Sequence, residues 1–315
     1  MQLIRSFSDY RKQDRDLVLA IGNFDGMHRG HAAVIKRTVG LAHISKLEAA
    51  VMTFTPHPRQ FFRPDEIMYT LSTFRDKFES LKSCGVDKLF NLRFDATFAS
   101  MDARTFVRDL LIGRLGVKKV IVGSLFYFAR GGRADFSVLK SLCEQYGAEA
   151  YAQDGILIEG QRVSSSAVRE SLLRGDLAAA ALMLDRPYSI TGRVCHGNAL
   201  GRTMGFPTAN VHFFDMQPPL NGVYAVRVHT VYGDYDGMCN AGMRPSIREN
   251  DKRFLLEAHL FNFSGDLYAT PIRISFISKI RDETVFSNLN ELKERLSLDR
   301  LSAQVSLSSF KKRGL

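Results

Sequence analysis

"LVLAIGNFDGMHRGH" (Leu17–His31) decides how the first half of the chain is read. Five apolar residues of strand character run into a turn carrying Gly22, Asn23, Asp25 and Gly26, and two histidines then stand around Gly30. A glycine-rich turn after a strand lets backbone come close to a ligand. If a helix begins here, the three-residue spacing puts His28 and His31 on one face of it.

Outward from this stretch the same alternation repeats. Strand candidates are "LVLAI", "LEAAVMTF", "KLFNLRF", "KKVIVG" and "AEAYAQ"; between them "HAAVIKRTVGLAHISK", "FRDKFESLKSCG", "ARTFVRDLLIGRLG" and "FSVLKSLCEQYG" read as helices. Such alternation predicts an α/β domain with a parallel sheet covered on both faces. Ligands of these sheets bind beyond the carboxyl ends of the strands, where "GNFDGMHRGH", "TPHP" (Thr55–Pro58) and "VGSLFYF" (Val122–Phe128) fall. Candidate ligand contacts there are Gly22, Asn23, Asp25, Gly30 and His57.

The pattern changes after "VSSSAVRESLLRGDLAAAALML", and Pro187 marks a boundary. The expected domains are 1–185 and 186–315. "YSITGRVCHG", "GVYAVRVHTVYG", "RFLLEAHLFNF" and "PIRISFISKI" read as consecutive short strands, with turns at Gly233-Asp234 and Gly265-Asp266. They predict a small antiparallel β-barrel. A helix about "NLNELKERLS" follows, with Leu289, Leu292 and Leu296 on one face, and "FKKRGL" reads as a frayed tail.

With 315 residues, 45% hydrophobic and 24% charged, the composition is that of a globular protein, and disordered or fibrous classes drop out. No run reaches the ~18 apolar residues of a membrane span. "MQLIRSFSDYRKQ" lacks a signal peptide's apolar core, and the four cysteines show no paired or metal-like spacing. The expectation is a cytoplasmic protein without a membrane partner. A net charge of +10 fits anionic partners, or simply a solvated basic surface.

Four stretches carry candidate chemistry. His28 and His31 at a helix start suit phosphate, since free N–H groups and imidazole donors would face developing charge. The competing readings are surface histidines or half a zinc site, which would need a third ligand. Ser164 and Ser165 open a helical run and Arg169 follows one turn in; this is either an ordinary serine cap or a second phosphate grip. In "GNALGRTMGFPTAN", Gly197, Gly201 and Gly205 could close backbone amides around phosphate, and Thr208 and Asn210 offer oxygens that suit Mg²⁺ with ATP. No GxxxxGK[ST] occurs. Glu257 alternates with Leu256 and Ala258 and is either a general base or a barrel-surface carboxylate.

Together these blocks resemble the bacterial bifunctional riboflavin kinase/FMN adenylyltransferases, the FAD synthetases. "GNFDGMHRGH", "TFTPHP", "VSSSAVRESLLRGD", "GRVCHGNALGRTMGFPTANV", "NGVYAV", "NAGMRPSI", "LEAHLF" and "IRDETVFSNLNELKERLSLD" stand in the family's order, from Ala20 to about Asp299. The resemblance implies a Rossmann-like nucleotidyltransferase domain followed by a riboflavin kinase barrel with a C-terminal helix. It implies ATP and Mg²⁺, with riboflavin, FMN and FAD as partners. Thr208 and Asn210 would hold Mg²⁺ and ATP, the Gly197–Gly205 loop would cover the phosphates, and Glu257 would be the base. His28 and His31 would stabilise the transition state and the leaving pyrophosphate, while Ser164, Ser165 and Arg169 would bind ATP phosphates.

Departures from the family's pattern are specific. Leu125-Phe126 stands where an Asp-Phe pair is usual, Ala129 and Asp185 stand where glycine is, Ser246 replaces threonine and Asn262 replaces aspartate. A second reading is therefore a riboflavin kinase with weakened or lost adenylyltransferase activity. A distant third is a basic RNA-binding module; HxGH also resembles class I aminoacyl-tRNA synthetases, but no KMSKS-like loop or RNP-like motif is present. No nucleic-acid partner is expected, and weak self-association is possible.

Overall fold

The computed structural model describes residues 1–10, 16–196, 205–213, 216–244 and 253–312. It has two compact units: Met1–Met68 with Lys77–Val163, and Tyr69–Asp76 with Ser164–Leu315.

The first unit is built on β1 (Gln2–Ile4), β2 (Leu17–Ile21), β3 (Glu48–Thr55), β4 (Lys88–Arg93), β5 (Val117–Gly123) and β6 (Glu149–Gln153). They form one sheet in the order β1-β4-β3-β2-β5-β6, every pair parallel. The strand alternation predicts both faces. Leu17, Leu19 and Ile21 pack with Phe106, Leu111 and Leu139, while Val18 and Ala20 pack with Val34, Ile35 and Leu81. Helices thus cover the sheet on both sides, as the β–α alternation requires. The chain leaves β2 for β3 and β4 on one side and returns for β5 and β6 on the other. The ends of β2 and β5 flank that switch point, where open parallel sheets bind ligands.

Two local features differ from the sequence expectation. The short edge strand β1 was not among the predicted strands. The helix expected over 103–116 is wound as a π-helix at Thr105–Arg114, with Leu115 N–H reaching Leu110 O at 3.0 Å. Such wide turns are rare over this length.

The second unit is a closed barrel of β9 (Ser189–Cys195), β10 (Ala209–His212), β11 (Gly222–Thr230), β12 (Gly233–Arg244), β13 (Arg253–Leu260) and β14 (Pro271–Arg281), ordered β10-β13-β12-β11-β14-β9 and antiparallel throughout. Val211, Tyr224, Leu256, Ala258 and Phe276 fill its interior. The helices Ser165–Leu173 and Leu177–Leu184 add Val168, Leu172 and Leu184 to that same core. Leu71 joins it, and its segment is tied down by Thr70 N–H to Gln217 O at 3.0 Å and by Thr191 N–H to the Asp76 carboxylate at 3.1 Å.

Gly233 opens β12, so the β11–β12 turn falls at Val231–Tyr232, just before the expected Gly233-Asp234. The last helix is longer than predicted, running Leu289–Lys312. Its buried side is Ala303 and Leu307, with Leu296 half-buried, against Ala225, Met238 and Phe261, whereas Leu289 is 58% exposed. Asp299, almost wholly buried, holds the helix by accepting from Arg281 at 2.7 Å and pairing with Arg295 at 3.2 Å. Phe310 and Lys311, expected in a frayed tail, are helical, and Lys311 Nζ pairs with Asp236 at 2.8 Å.

Candidate active site

In the first unit the residues after β2 are set by backbone conformation. Phe24 and Met27 take positive φ values of 49° and 45°, with Gly26 at 84° between them. This folds the loop so that His28 becomes the N-cap of the helix Arg29–Ser45 instead of part of its first turn. His28 Nδ1 accepts the His31 backbone N–H at 3.2 Å, so the neutral ring carries its proton on Nε2. The two imidazoles stack with centroids 3.6 Å apart and planes at 19°. Gly30 permits this: a Cβ there would stand 3.1 Å from the His28 ring. Phe24 supports His31 edge-on at 5.3 Å.

The neighbouring candidates divide. Asp25 is buried, and it opposes the effect of burial on Lys77, whose ammonium is pushed below the usual lysine value by desolvation. Lys77 was not singled out in the sequence; nothing in its spacing marks it. His57 caps the short helix Pro58–Phe62 by accepting Arg59 N–H at 3.1 Å. Gly22 N–H donates to Met52 O at 3.1 Å and Thr53 Oγ1 to Asn23 O at 3.3 Å, which fixes the loop on β3.

Between the ends of β2 and β5 lies a cavity of about 370 Å³. Phe54, Phe94, Phe98, Phe106, Phe126 and Phe128 form much of its wall. The segment after β5 closes one side with Leu125 and Ala129. Ala129 has φ 61° and ψ −179°, a conformation that is essentially glycine's alone. Asp185 also takes positive φ, 62°, but with ψ 22°, where Asp is better tolerated. Both positions with glycine in the family's pattern therefore keep a glycine-type backbone here. The aromatic cavity was not foreseen, because its rings come from five separated stretches.

In the second unit, Ser164 is the N-cap of Ser165–Leu173, its Oγ accepting Ala167 N–H at 3.2 Å. One of the N–H groups expected to be available for phosphate is thus occupied by the cap. Ser165 and Arg169 follow on the same helix, half-buried.

The barrel brings other candidates together by register. Asn210 on β10 pairs with Glu257 on β13, and Glu257 pairs with Asn240 on β12. Directly opposed residues of antiparallel strands share a face and stand about 4.5–5.5 Å apart at Cα. Leu256 and Ala258 are in the barrel interior, so Asn210, Glu257 and Asn240 make a polar row on its outer face. Glu283 extends that row: Asn240 Nδ2 donates to its carboxylate at 3.3 Å. Glu283 lies so close over Gly242 that a Cβ there would clash with its carboxylate.

Thr208, half-buried, precedes β10, and Gly205 takes φ 83°. Pro207 between them is held by buried His259, whose Nδ1 is 2.8 Å from the Pro207 carbonyl. Desolvation lowers the His259 pKa, Arg300 acts the same way, and the Pro207 bond opposes them. Gly197 and Gly201 lie outside the described residues. Asn240, Glu283 and His259 were missed in the sequence; strand alternation puts each on a face, but only the pairing register brings them to Glu257 and Thr208.

Comparisons agree with both halves. A family model described as FAD synthetase matches residues 10–167, and one described as riboflavin kinase matches residues 184–307. The bifunctional riboflavin kinase/FMN adenylyltransferase of Haemophilus influenzae is 37% identical over 310 residues, covering 98% of this chain and 100% of that protein. Its Escherichia coli K12 counterpart is 39% identical over 307 residues, covering 96% and 97%. A crystal structure described as a macrolide-efflux protein from Streptococcus pneumoniae matches with a TM-score of 0.80 at 28% identity, covering 94% of this chain and 96% of that one. Among the described residues no helix is long and apolar enough to cross a membrane.

Proposed function

The chain belongs to the bifunctional riboflavin kinase/FMN adenylyltransferase family, and from that premise we propose how its residues divide the two reactions. The enzyme phosphorylates riboflavin with ATP to give FMN, then joins AMP from a second ATP to FMN, giving FAD and pyrophosphate. The functional division follows 1–185 and 186–315, which the matched ranges 10–167 and 184–307 support.

In the kinase half, Glu257 accepts the proton of the riboflavin 5′-hydroxyl as that oxygen attacks the γ-phosphorus of ATP and ADP leaves. The register pair Asn210–Glu257 carries this reading, because it sets an amide oxygen beside a carboxylate at one strand level. Thr208 and Asn210 supply oxygens of the kind Mg²⁺ prefers. Among the described residues no three His, Cys, Asp or Glu side chains converge on one point, so a cation here would draw its remaining ligands from phosphate and water. Mg²⁺, when bound, neutralises phosphate charge. Gly197, Gly201 and Gly205 belong to the loop over the phosphates.

In the adenylyltransferase half, a phosphate oxygen of FMN attacks the α-phosphorus of ATP and pyrophosphate leaves. His28, its Nδ1 committed to the helix start, donates from Nε2 to the charge that develops on phosphate; His31 is held against it. Neither acts as a nucleophile, since positioning and charge stabilisation carry this class of reaction. The aromatic cavity takes the isoalloxazine ring of FMN. Gly22, Asp25, Gly30 and His57 shape the loops around ATP, and Ser164, Ser165 and Arg169, on the second unit, offer a phosphate grip of their own. We place both reactions in the cytoplasm, without a nucleic-acid partner and with at most weak self-association.

The test is to give the purified protein riboflavin, ATP and Mg²⁺ and to separate the flavins by chromatography. FAD is the expected product. The reading of a kinase with a weakened second step has the Ala129 conformation on its side, and FMN without FAD would establish it.

A further inference from the structure

The cavity at the ends of β2 and β5 is apolar almost throughout. Of the residues around it, only Asn23 and Tyr127 carry a side-chain nitrogen or oxygen, and Tyr127 is 65% exposed. Asn23 is placed differently. Its backbone carbonyl accepts from Thr53, itself fully buried, and its Oδ1 is shut off from water with no hydrogen-bond partner among the described residues. A sealed amide oxygen without a partner costs stability, and such a group calls for a function that supplies the missing donor. The side chain can answer that need, because the terminal torsion of asparagine is soft and turns the carboxamide at little cost.

Pockets of this kind cover a ligand with apolar wall and orient it through very few polar groups. The ring system proposed for this pocket has an apolar xylene end and a pyrimidine edge, where an N3–H stands between two carbonyls. A carboxamide offers the complementary acceptor and donor side by side, as asparagine does when it reads adenine. Resting on the reading that this cavity holds the flavin of FMN, we infer that Asn23 is the specificity residue of the adenylyltransferase pocket. Its Oδ1 accepts N3–H, its Nδ2 donates to the adjacent ring carbonyl, and the ring is thereby held with its pyrimidine edge toward the end of β2.

The experiment compares FMN with N3-methyl-FMN, which lacks the donor, in the full-length enzyme. Rates of FAD formation are measured for wild type, Asn23→Leu and Phe98→Ala, with the thermal unfolding of each preparation as the measure of an intact first unit. Leu has the bulk of Asn without its hydrogen bonds, so steric exclusion of the methyl group persists in that variant while hydrogen-bond reading does not. Wild type should prefer FMN by about 10- to 100-fold in kcat/KM. Asn23→Leu should narrow the preference to within about threefold, by losing activity on FMN. Asn23→Met, which also fills the site without those hydrogen bonds, stands in if the leucine variant does not fold.

No preference in wild type, or an unchanged preference in Asn23→Leu while Phe98→Ala raises KM for FMN, would overturn the role of Asn23 and leave the pocket assignment standing. A raised KM for ATP with flavin preference intact would assign the edge contact to adenine and overturn it as well. An unchanged KM for FMN in Phe98→Ala would remove the flavin from this cavity, and the inference with it.

Discussion

The two units build their sites in opposite ways. In the parallel sheet the candidate residues stand on loops beyond strand ends, and backbone conformation sets them: positive φ at Phe24, Gly26 and Met27, an imidazole used as a helix cap, and Ala129 in a glycine conformation. In the barrel Asn210, Glu257 and Asn240 stand within paired strands, and pairing register sets them. A loop site can be remade one residue at a time, since each turn depends on local conformation. A register site is tied to the interior, because a one-residue slip would exchange Glu257 with buried Leu256 or Ala258.

The largest effects should separate the units cleanly. Glu257→Gln keeps the shape of the row and removes the proposed base, so FMN formation should fall by about 10²- to 10⁴-fold. FAD formation from supplied FMN should persist; a parallel loss of both would break the division between units. His28→Ala should do the converse, slowing FAD formation by about 100- to 1000-fold while the kinase rate is retained. His28→Asn sharpens that test. Asparagine keeps an N-cap acceptor, so activity recovered in this variant would reduce His28 to a cap.

A smaller effect probes the backbone. Ala129→Gly relieves a conformation that costs about 1–3 kcal/mol, against about 0.4–1 kcal/mol of added unfolded-chain entropy. Thermal unfolding of the first unit should therefore rise by a net of about 0–2.5 kcal/mol equivalent. Asp185→Gly, at an αL position, should move stability less. Equal responses would mean that Ala129 carries no particular strain.

The mildest prediction is a pH dependence confined to the barrel. Burial lowers the His259 pKa below the ordinary value of 6.5, so protons bind the unfolded chain first. Its contribution is whole above about 6.5 and drains as pH falls through that value toward the folded-state one. Denaturant midpoints of the second unit, followed from pH 8 downward, should decline in that window, and His259→Gln should flatten the decline. A profile identical in both proteins would assign the pH response elsewhere.

Local pattern made much of this molecule legible. The β–α alternation outward from Leu17 named five of the six sheet strands and their covering helices, because burial on both faces leaves a continuous apolar run. Period-2 alternation put Glu257 on the face away from Leu256. Family-ordered motifs pointed to His28, His31, Thr208 and Asn210. The last helix shows the limit: its expected end near Ser297 came from a leucine spacing, while Ala303, Leu307 and the buried Asp299 carry it to Lys312.

By itself, then, the sequence determined five strands of the sheet, four of the barrel, the main helices and the chemical groups on offer, whereas β1, β10 and β12 are too short or too polar for their pattern to mark them. The former are short-range properties, set by side-chain periodicity and turn preference. Only the tertiary structure decided that Asn240 and Glu283 join Glu257, that His259 holds the Pro207 carbonyl, and that rings from five stretches enclose the cavity beside Asn23. Each depends on which distant strands pair and in what register, and that is settled by packing the whole core at once.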